Sequence, residues 1–273
     1  MLRARIFTAV VVLCLFLTAL LYLPAIFWMI LLLALTVTGS WEWTRLAKFS
    51  VAHSIVYLLL TTILTGELLF VLGQATIADP YTTSFLSFYV ASLIFWTLIV
   101  PYLLKSRYPV RSPLLLALAG WLVLLPTSFA LCQLRAIDPL LLLGFMAAIW
   151  ISDTAAYFAG RAVGKHKLAP NISPGKTWEG VAGALAAVSI YALIWSFVAG
   201  DAMHIKLLMP LLLVLAIMGI VGDLFESLMK RHAGLKDSGN ILPGHGGILD
   251  RIDALTSTLP LAVLPLLFLQ SEL

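Results

Sequence analysis

Apolar stretches recur along the whole chain, and each approaches the roughly 20 residues that a helix needs to cross the hydrocarbon core of a bilayer. Read from the sequence, they lie near 6–22, 25–38, 54–73, 83–104, 114–133, 139–161, 178–199, 206–231 and 253–270. Composition agrees: 62% of the 273 residues are hydrophobic and 11% are charged, whereas a soluble domain carries about 25% charged residues. A water-soluble fold of this length has too much surface to hide so much apolar side chain. Disorder, a secreted disulfide scaffold and a soluble Rossmann enzyme are excluded together. The expectation is an all-α, polytopic helical integral membrane protein with about nine transmembrane helices. Cys14 and Cys132 both fall inside apolar runs and read as buried free thiols behaving as small hydrophobes.

Pro24 separates the first two spans, which form either a tight hairpin or one kinked element. Arg3 and Arg5 before an apolar run also suit a signal peptide, but further spans follow at once and no clear cleavage site stands out. With nine spans and a cytoplasmic N-terminus, fifteen of the seventeen Lys and Arg fall on one side, leaving only Arg135 and Lys206 opposite. Cytoplasmic loops hold such an excess of Lys and Arg, so this split supports both the count and the orientation. It also accounts for most of the net charge of +4 without invoking nucleic acid.

Charge clusters in sequence as well. Residues 152–180 and 222–253 hold 15 of the 30 Asp, Glu, Lys and Arg residues. The chain reads as one membrane domain, 1–273. Residues 1–135 are mainly apolar spans; residues 136–273 form the half that carries chemistry, with cytoplasmic loops 161–177 and 231–252.

The first constellation begins in the sixth span. Asp153, Tyr157 and Arg161 stand at i, i+4 and i+8 and share a helix face. A carboxylate at that depth costs about 2.5–3.5 kcal/mol on insertion scales, so it faces a wet cavity or the bundle interior; Asp153 otherwise reads as an ion-pair partner of Arg161. Ser173 to Gly180 then leads into a helix, and hydroxyls with a lysine at a helix N-terminus suit an anion. Lys176 is the natural phosphate contact, with Ser173 and Thr177 beside it. Ser173 or Thr177 also fits a plain N-cap, with Lys176 and Trp178 as interfacial anchors. The spacing is not that of a Walker A loop, and Gly160 with Gly164 equally suits close helix packing.

The second constellation is denser, running through Asp223, Glu226, Ser227, Lys230, Arg231, Lys236, Asp237, His245, Asp250, Arg251 and Asp253. Asp223, Ser227 and Lys230 lie along one stripe of the eighth span, and Asp250 and Asp253 open the ninth. Two helix ends thus present carboxylates near one another, joined by a glycine-rich loop flanked by cations. Hard oxygen ligands beside Lys and Arg suit a Mg²⁺–polyphosphate. Zinc is disfavoured, because His232 and His245 have neither a cysteine nearby nor a paired histidine. His245 remains a proton donor, a phosphate contact or an ordinary turn residue.

The run Ser227-x-x-Lys230-Arg231-x4-Lys236-Asp237-x-Gly239-x2-Leu242-Pro243-x-His245-Gly246-Gly247-x2-Asp250-Arg251-x-Asp253 resembles the signature of the phosphatidate cytidylyltransferases, the CDP-diacylglycerol synthases. The Ser173-Pro-x-Lys-Thr-x-Glu segment resembles the same family, and CTP-using polyprenol kinases share similar pieces. The resemblance implies that CTP and phosphatidic acid give CDP-diacylglycerol and pyrophosphate with Mg²⁺, in phospholipid biosynthesis. It implies Asp223, Asp250 and Asp253 as metal ligands, with Lys230 and His245 also catalytic. Ser173, Lys176, Thr177, Ser227, Arg231, Lys236 and Arg251 are then the nucleotide- and substrate-binding set. A second metal or a monovalent cation, a homodimer, and a place in a bacterial inner membrane with the site facing the cytoplasm are further implications. Three alternatives stand beside this reading: a CTP-dependent lipid-alcohol kinase, against which the full 227–253 run argues; a transporter or channel, which predicts broken helices in two matching halves; and a catalytically inactive lipid-binding homologue, against which the full set of candidate ligands argues.

Overall fold

The computed structural model describes residues 2–199, 205–241 and 246–268. Among these, nine helices and one small hairpin follow one another: α1 (Leu2–Tyr22), α2 (Ala25–Leu46), α3 (Val51–Ala78), α4 (Leu86–Ser106), α5 (Pro113–Ile137), α6 (Pro139–Val163), β1 (Lys167–Ala169), β2 (Ser173–Thr177), α7 (Trp178–Ala199), α8 (Ile205–Ala233) and α9 (Leu249–Phe268). Eight of the helices are long and apolar enough to cross a bilayer; in α1, Leu13–Tyr22 is a shorter apolar stretch. This is a polytopic all-α membrane protein.

The helices start and stop where the local chemistry requires. Ser50, Ser112 and Asp138 each accept a backbone N–H from the first turn of α3, α5 and α6, satisfying donors that a helix start leaves free. Pro24 keeps α1 and α2 apart as two helices. At the far end of the bundle, Arg135 donates its Nε–H to the Leu20 carbonyl at 2.8 Å and a second N–H to the Leu23 carbonyl. Its guanidinium lies 4.9 Å from the Trp28 ring centre. One of the two cations on the sparsely charged side thus closes the C-terminal end of α1.

Three features depart from the sequence reading. The second span does not stop near residue 38: α2 continues to Leu46, and its polar tail of Ser40, Glu42 and Thr44 is buried. The 161–177 loop contains an antiparallel hairpin, β1 against β2. Cys132 is buried as expected, but Cys14 is exposed on the outer face of α1.

The core positions α8. Within α4 the backbone widens into a π turn at Phe95–Ile99, just ahead of Pro101, which has no N–H to give. Phe95 and Trp96 from that turn meet Phe225 edge-on at 5.6 and 5.4 Å, and Trp43 of α2 stacks on Phe225 at 6.2 Å. This aromatic cluster sets the rotation of α8 one residue before Glu226. On the other side Gly222 lets α9 approach, since a Cβ there would meet the Asp253 carbonyl at 2.7 Å and the Ser257 side chain.

Candidate active site

Four helix ends and β2 converge at one end of the bundle. Asp250, in the first turn of α9, has both carboxylate oxygens engaged. Its Oδ1 accepts from Lys230 Nζ at 2.7 Å. Its Oδ2 accepts the Gly247 and Ser238 backbone N–H groups at 2.8 and 2.9 Å and lies 2.9 Å from the Ser238 hydroxyl. Lys230 also reaches Glu226 Oε2 at 3.2 Å, one turn back on α8. All three side chains are largely buried. Removing charges from water costs several kcal/mol per ion unless each is paired, and here the pairing ties α8 to α9.

A second carboxylate organises the same loop. Glu42 of α2 is fully buried. Its Oε1 accepts the Ile248 N–H at 2.9 Å, and its Oε2 accepts the Leu249 N–H at 2.8 Å and lies 3.0 Å from the Ser238 hydroxyl. A negative charge at the first N–H groups of α9 is favourable both as a cap and against the helix dipole. Sequence reading overlooked Glu42; its only signal was a lone carboxylate at the end of an apolar run. The loop glycines fit around these two acids. Gly246 has φ +82°, and a Cβ on it would come within 2.7 Å of Asp250 Oδ2.

The remaining acids form a looser group. Asp223 Oδ2 meets Lys176 Nζ of β2 at 2.5 Å, and Asp223 Oδ1 accepts the Ser227 hydroxyl at 3.3 Å. Asp253 of α9 accepts the Ala254 N–H at 2.9 Å. Asp153, Asp223 and Asp253, from three different helices, lie close enough for their charges to act on one another. Glu226 Oε1 is buried without a hydrogen-bond donor, in the field of Asp253 and Asp250. Asp153 therefore belongs with Lys176 and Asp223, while Arg161 donates to the Tyr157 hydroxyl at 3.0 Å.

The other expected residues fall as follows. Thr177 is buried, and its hydroxyl accepts the Gly180 N–H at 3.1 Å. The same hydroxyl fills the space a Cβ would need at Gly160 and Gly164, so Thr177 both caps α7 and packs it against α6. The hairpin is latched to α7 by His166, whose Nδ1 is 2.7 Å from Glu179 Oε1. Ser173 is half-buried at the start of β2. Arg231 Nε donates to the Ile172 carbonyl at 3.4 Å. Lys236, Asp237 and Arg251 are exposed. His245 lies outside the described residues.

Among the described residues, no three His, Cys, Asp or Glu side chains stand close enough together to hold a metal ion unaided. The donor chemistry nevertheless fits Mg²⁺, which takes one or two carboxylates and completes its shell with substrate phosphate oxygens and water. Asp223 and Asp250, the carboxylates that would hold such an ion, are each met by a lysine ammonium.

Fold and site together define a polytopic membrane protein with a cluster of carboxylates and lysines at one end of its helix bundle. The chain belongs to the cytidylyltransferase family, whose sequence model matches residues 3–269. It is similar to the phosphatidate cytidylyltransferase of Haemophilus influenzae, with 33% identity over 281 residues, covering 95% of this chain and 96% of that one. The phosphatidate cytidylyltransferase of Pseudomonas aeruginosa is 38% identical over 268 residues, with 95% of each chain covered. That of Staphylococcus haemolyticus is 51% identical over 113 residues, covering 41% of this chain and 44% of its own.

Proposed function

We propose that this protein transfers the cytidylyl group of CTP to phosphatidic acid, giving CDP-diacylglycerol and pyrophosphate. The observation that carries the reading is the pair of lysine–aspartate contacts, Lys176–Asp223 and Lys230–Asp250, set at one end of a bundle whose sequence matches the family along nearly its full length. An oxygen of the lipid phosphate attacks the α-phosphorus of CTP in line. The bond from that phosphorus to the bridging oxygen of the β-phosphate breaks, and pyrophosphate leaves. The attacking phosphate is already a nucleophile, so positioning and charge neutralisation supply the catalysis.

Asp223, Asp250 and Asp253 would hold Mg²⁺, which when bound neutralises triphosphate charge and the departing pyrophosphate. With Mg²⁺ held by these carboxylates, Lys230 and Lys176, which now pair with Asp250 and Asp223, would be available to phosphate oxygens. Arg231, Lys236 and Arg251, with the Ser173 and Ser227 hydroxyls, complete the phosphate-binding set. The proposal places the site on the cytoplasmic face of a bacterial inner membrane, where CTP is available, and includes a homodimer built through the apolar early helices.

The test is a product analysis. Purified protein receives CTP labelled at the α-phosphate, phosphatidic acid and Mg²⁺. Label entering the organic phase, with pyrophosphate released and the signal lost in EDTA, is the expected result. Release of CDP only when a polyprenol replaces phosphatidic acid would assign a kinase instead.

A further inference from the structure

A cavity lies on the back of α8, at the same end of the bundle as the carboxylate cluster. Its volume is about 440 Å³, and its walls come from the α2–α3 turn, the 109–113 segment, Leu116 and the end of α8. That size falls within the roughly 300–1,000 Å³ of small-molecule sites. The α8 residues that reach it are Met229 and His232. With 3.6 residues per turn, these point away from the stripe of Asp223, Ser227 and Lys230, so the cavity is separate from the carboxylate cluster. Its ionisable lining residues are Lys48, His53, Arg111 and His232, with no Asp or Glu, and its apolar wall includes Leu46, Phe49 and Val110.

Lys48 supplies an independent observation. The α2 helix ends in a Schellman turn: Phe49 N–H donates to the Thr44 carbonyl at 3.0 Å and Lys48 N–H to the Arg45 carbonyl at 3.2 Å. Lys48 therefore occupies the left-handed position, with φ +53°, where glycine is the usual residue. Arg107 takes the same conformation at the end of α4, with φ +52°; Lys48 differs in lining a cavity that has no Asp or Glu in its wall.

We propose that this cavity binds the phosphate of an anionic amphiphile, with Lys48 and Arg111 holding the phosphate and the Leu46–Phe49–Val110 wall covering the adjoining apolar part. It is a site distinct from the one where CTP and phosphatidic acid react. The test is thermal unfolding of the purified chain in neutral detergent, titrated separately with dihexanoyl phosphatidylglycerol, dihexanoyl phosphatidylcholine and inorganic phosphate. Wild type is compared with K48G, R111Q and D223N. A ligand that binds only the folded state raises Tm with its concentration.

The expected result is a saturable rise with phosphatidylglycerol and none with phosphatidylcholine, weakened about tenfold in K48G and in R111Q, as losing a charged hydrogen-bond partner implies. D223N, which disables the transfer site, keeps the wild-type response, so failure of the transfer assay leaves this test intact. Unliganded K48G is at least as stable as wild type, because glycine relieves the turn. A response to inorganic phosphate with the same sensitivity to K48G and R111Q supports the site and names free phosphate as its source; a response to the lipid alone names the headgroup. Wild-type titrations in both K48G and R111Q, an equal response to phosphatidylcholine, a response lost in D223N, no response to any probe, or a K48G protein less stable than wild type would each overturn the proposal.

Discussion

Glu42 Oε2 accepts the Leu249 backbone N–H at 2.8 Å, joining residues 207 positions apart in sequence. Through that contact an apolar-half helix fixes the start of α9, and with it the place of Asp250 one residue later. Glu42→Gln turns one acceptor into a donor facing N–H groups. Hydrogen bonds to charged groups are worth about 1.5–3 kcal/mol, so kcat is expected to fall about 10- to 100-fold. A Glu42→Gln enzyme with wild-type kcat would show that the loop holds itself.

Lys230 carries two buried carboxylates. Lys230→Met leaves Glu226 and Asp250 facing each other without a cation, and breaking such a pair costs about 3–5 kcal/mol. Thermal unfolding should show the loss, and the double variant Glu226→Gln/Lys230→Met should recover part of it, because one orphaned charge is gone. A double variant no more stable than the single one would deny the coupling.

Asp223→Asn keeps the shape of the side chain and removes its charge, leaving Lys176 without a counter-ion. Turnover is expected to drop by at least about 100-fold, the scale of losing several kcal/mol of charge stabilisation. The amount of protein in the membrane fraction should be unchanged. Retained activity would remove Asp223 from the metal-binding set.

Gly247→Ala places a methyl group against Ser238 Oγ and both Glu42 carboxylate oxygens. Forcing such an overlap in a packed site costs about 1–3 kcal/mol. Activity should fall with stability, and Glu42→Asp, with a shorter side chain, should partly restore the Gly247→Ala enzyme. Absence of any rescue would place the clash elsewhere.

The eight membrane-crossing helices were legible in the sequence because crossing a bilayer is a local demand: about 20 consecutive apolar residues, whatever surrounds them. The density of charge in 222–253 was equally visible, since polar side chains beside such spans are costly without a use. Pairing was not. Asp153 sits at helical spacing from Arg161, yet its charge acts with Lys176 of β2 and Asp223 of α8, because helix packing brings those ends nearer than the spacing along one helix suggests. Thr177 stands among phosphate-binding residue types, but the space left by Gly160 and Gly164 draws its hydroxyl into the α6–α7 contact. Glu42 is the clearest case. Composition counts it as a stray acid in the apolar half, and only the approach of α2 to the start of α9 makes it the acceptor for two helix N–H groups. Apolar length and charge density belong to a stretch of sequence and can be read there; which donor meets which acceptor depends on distances between helices, and those exist only once the bundle has packed.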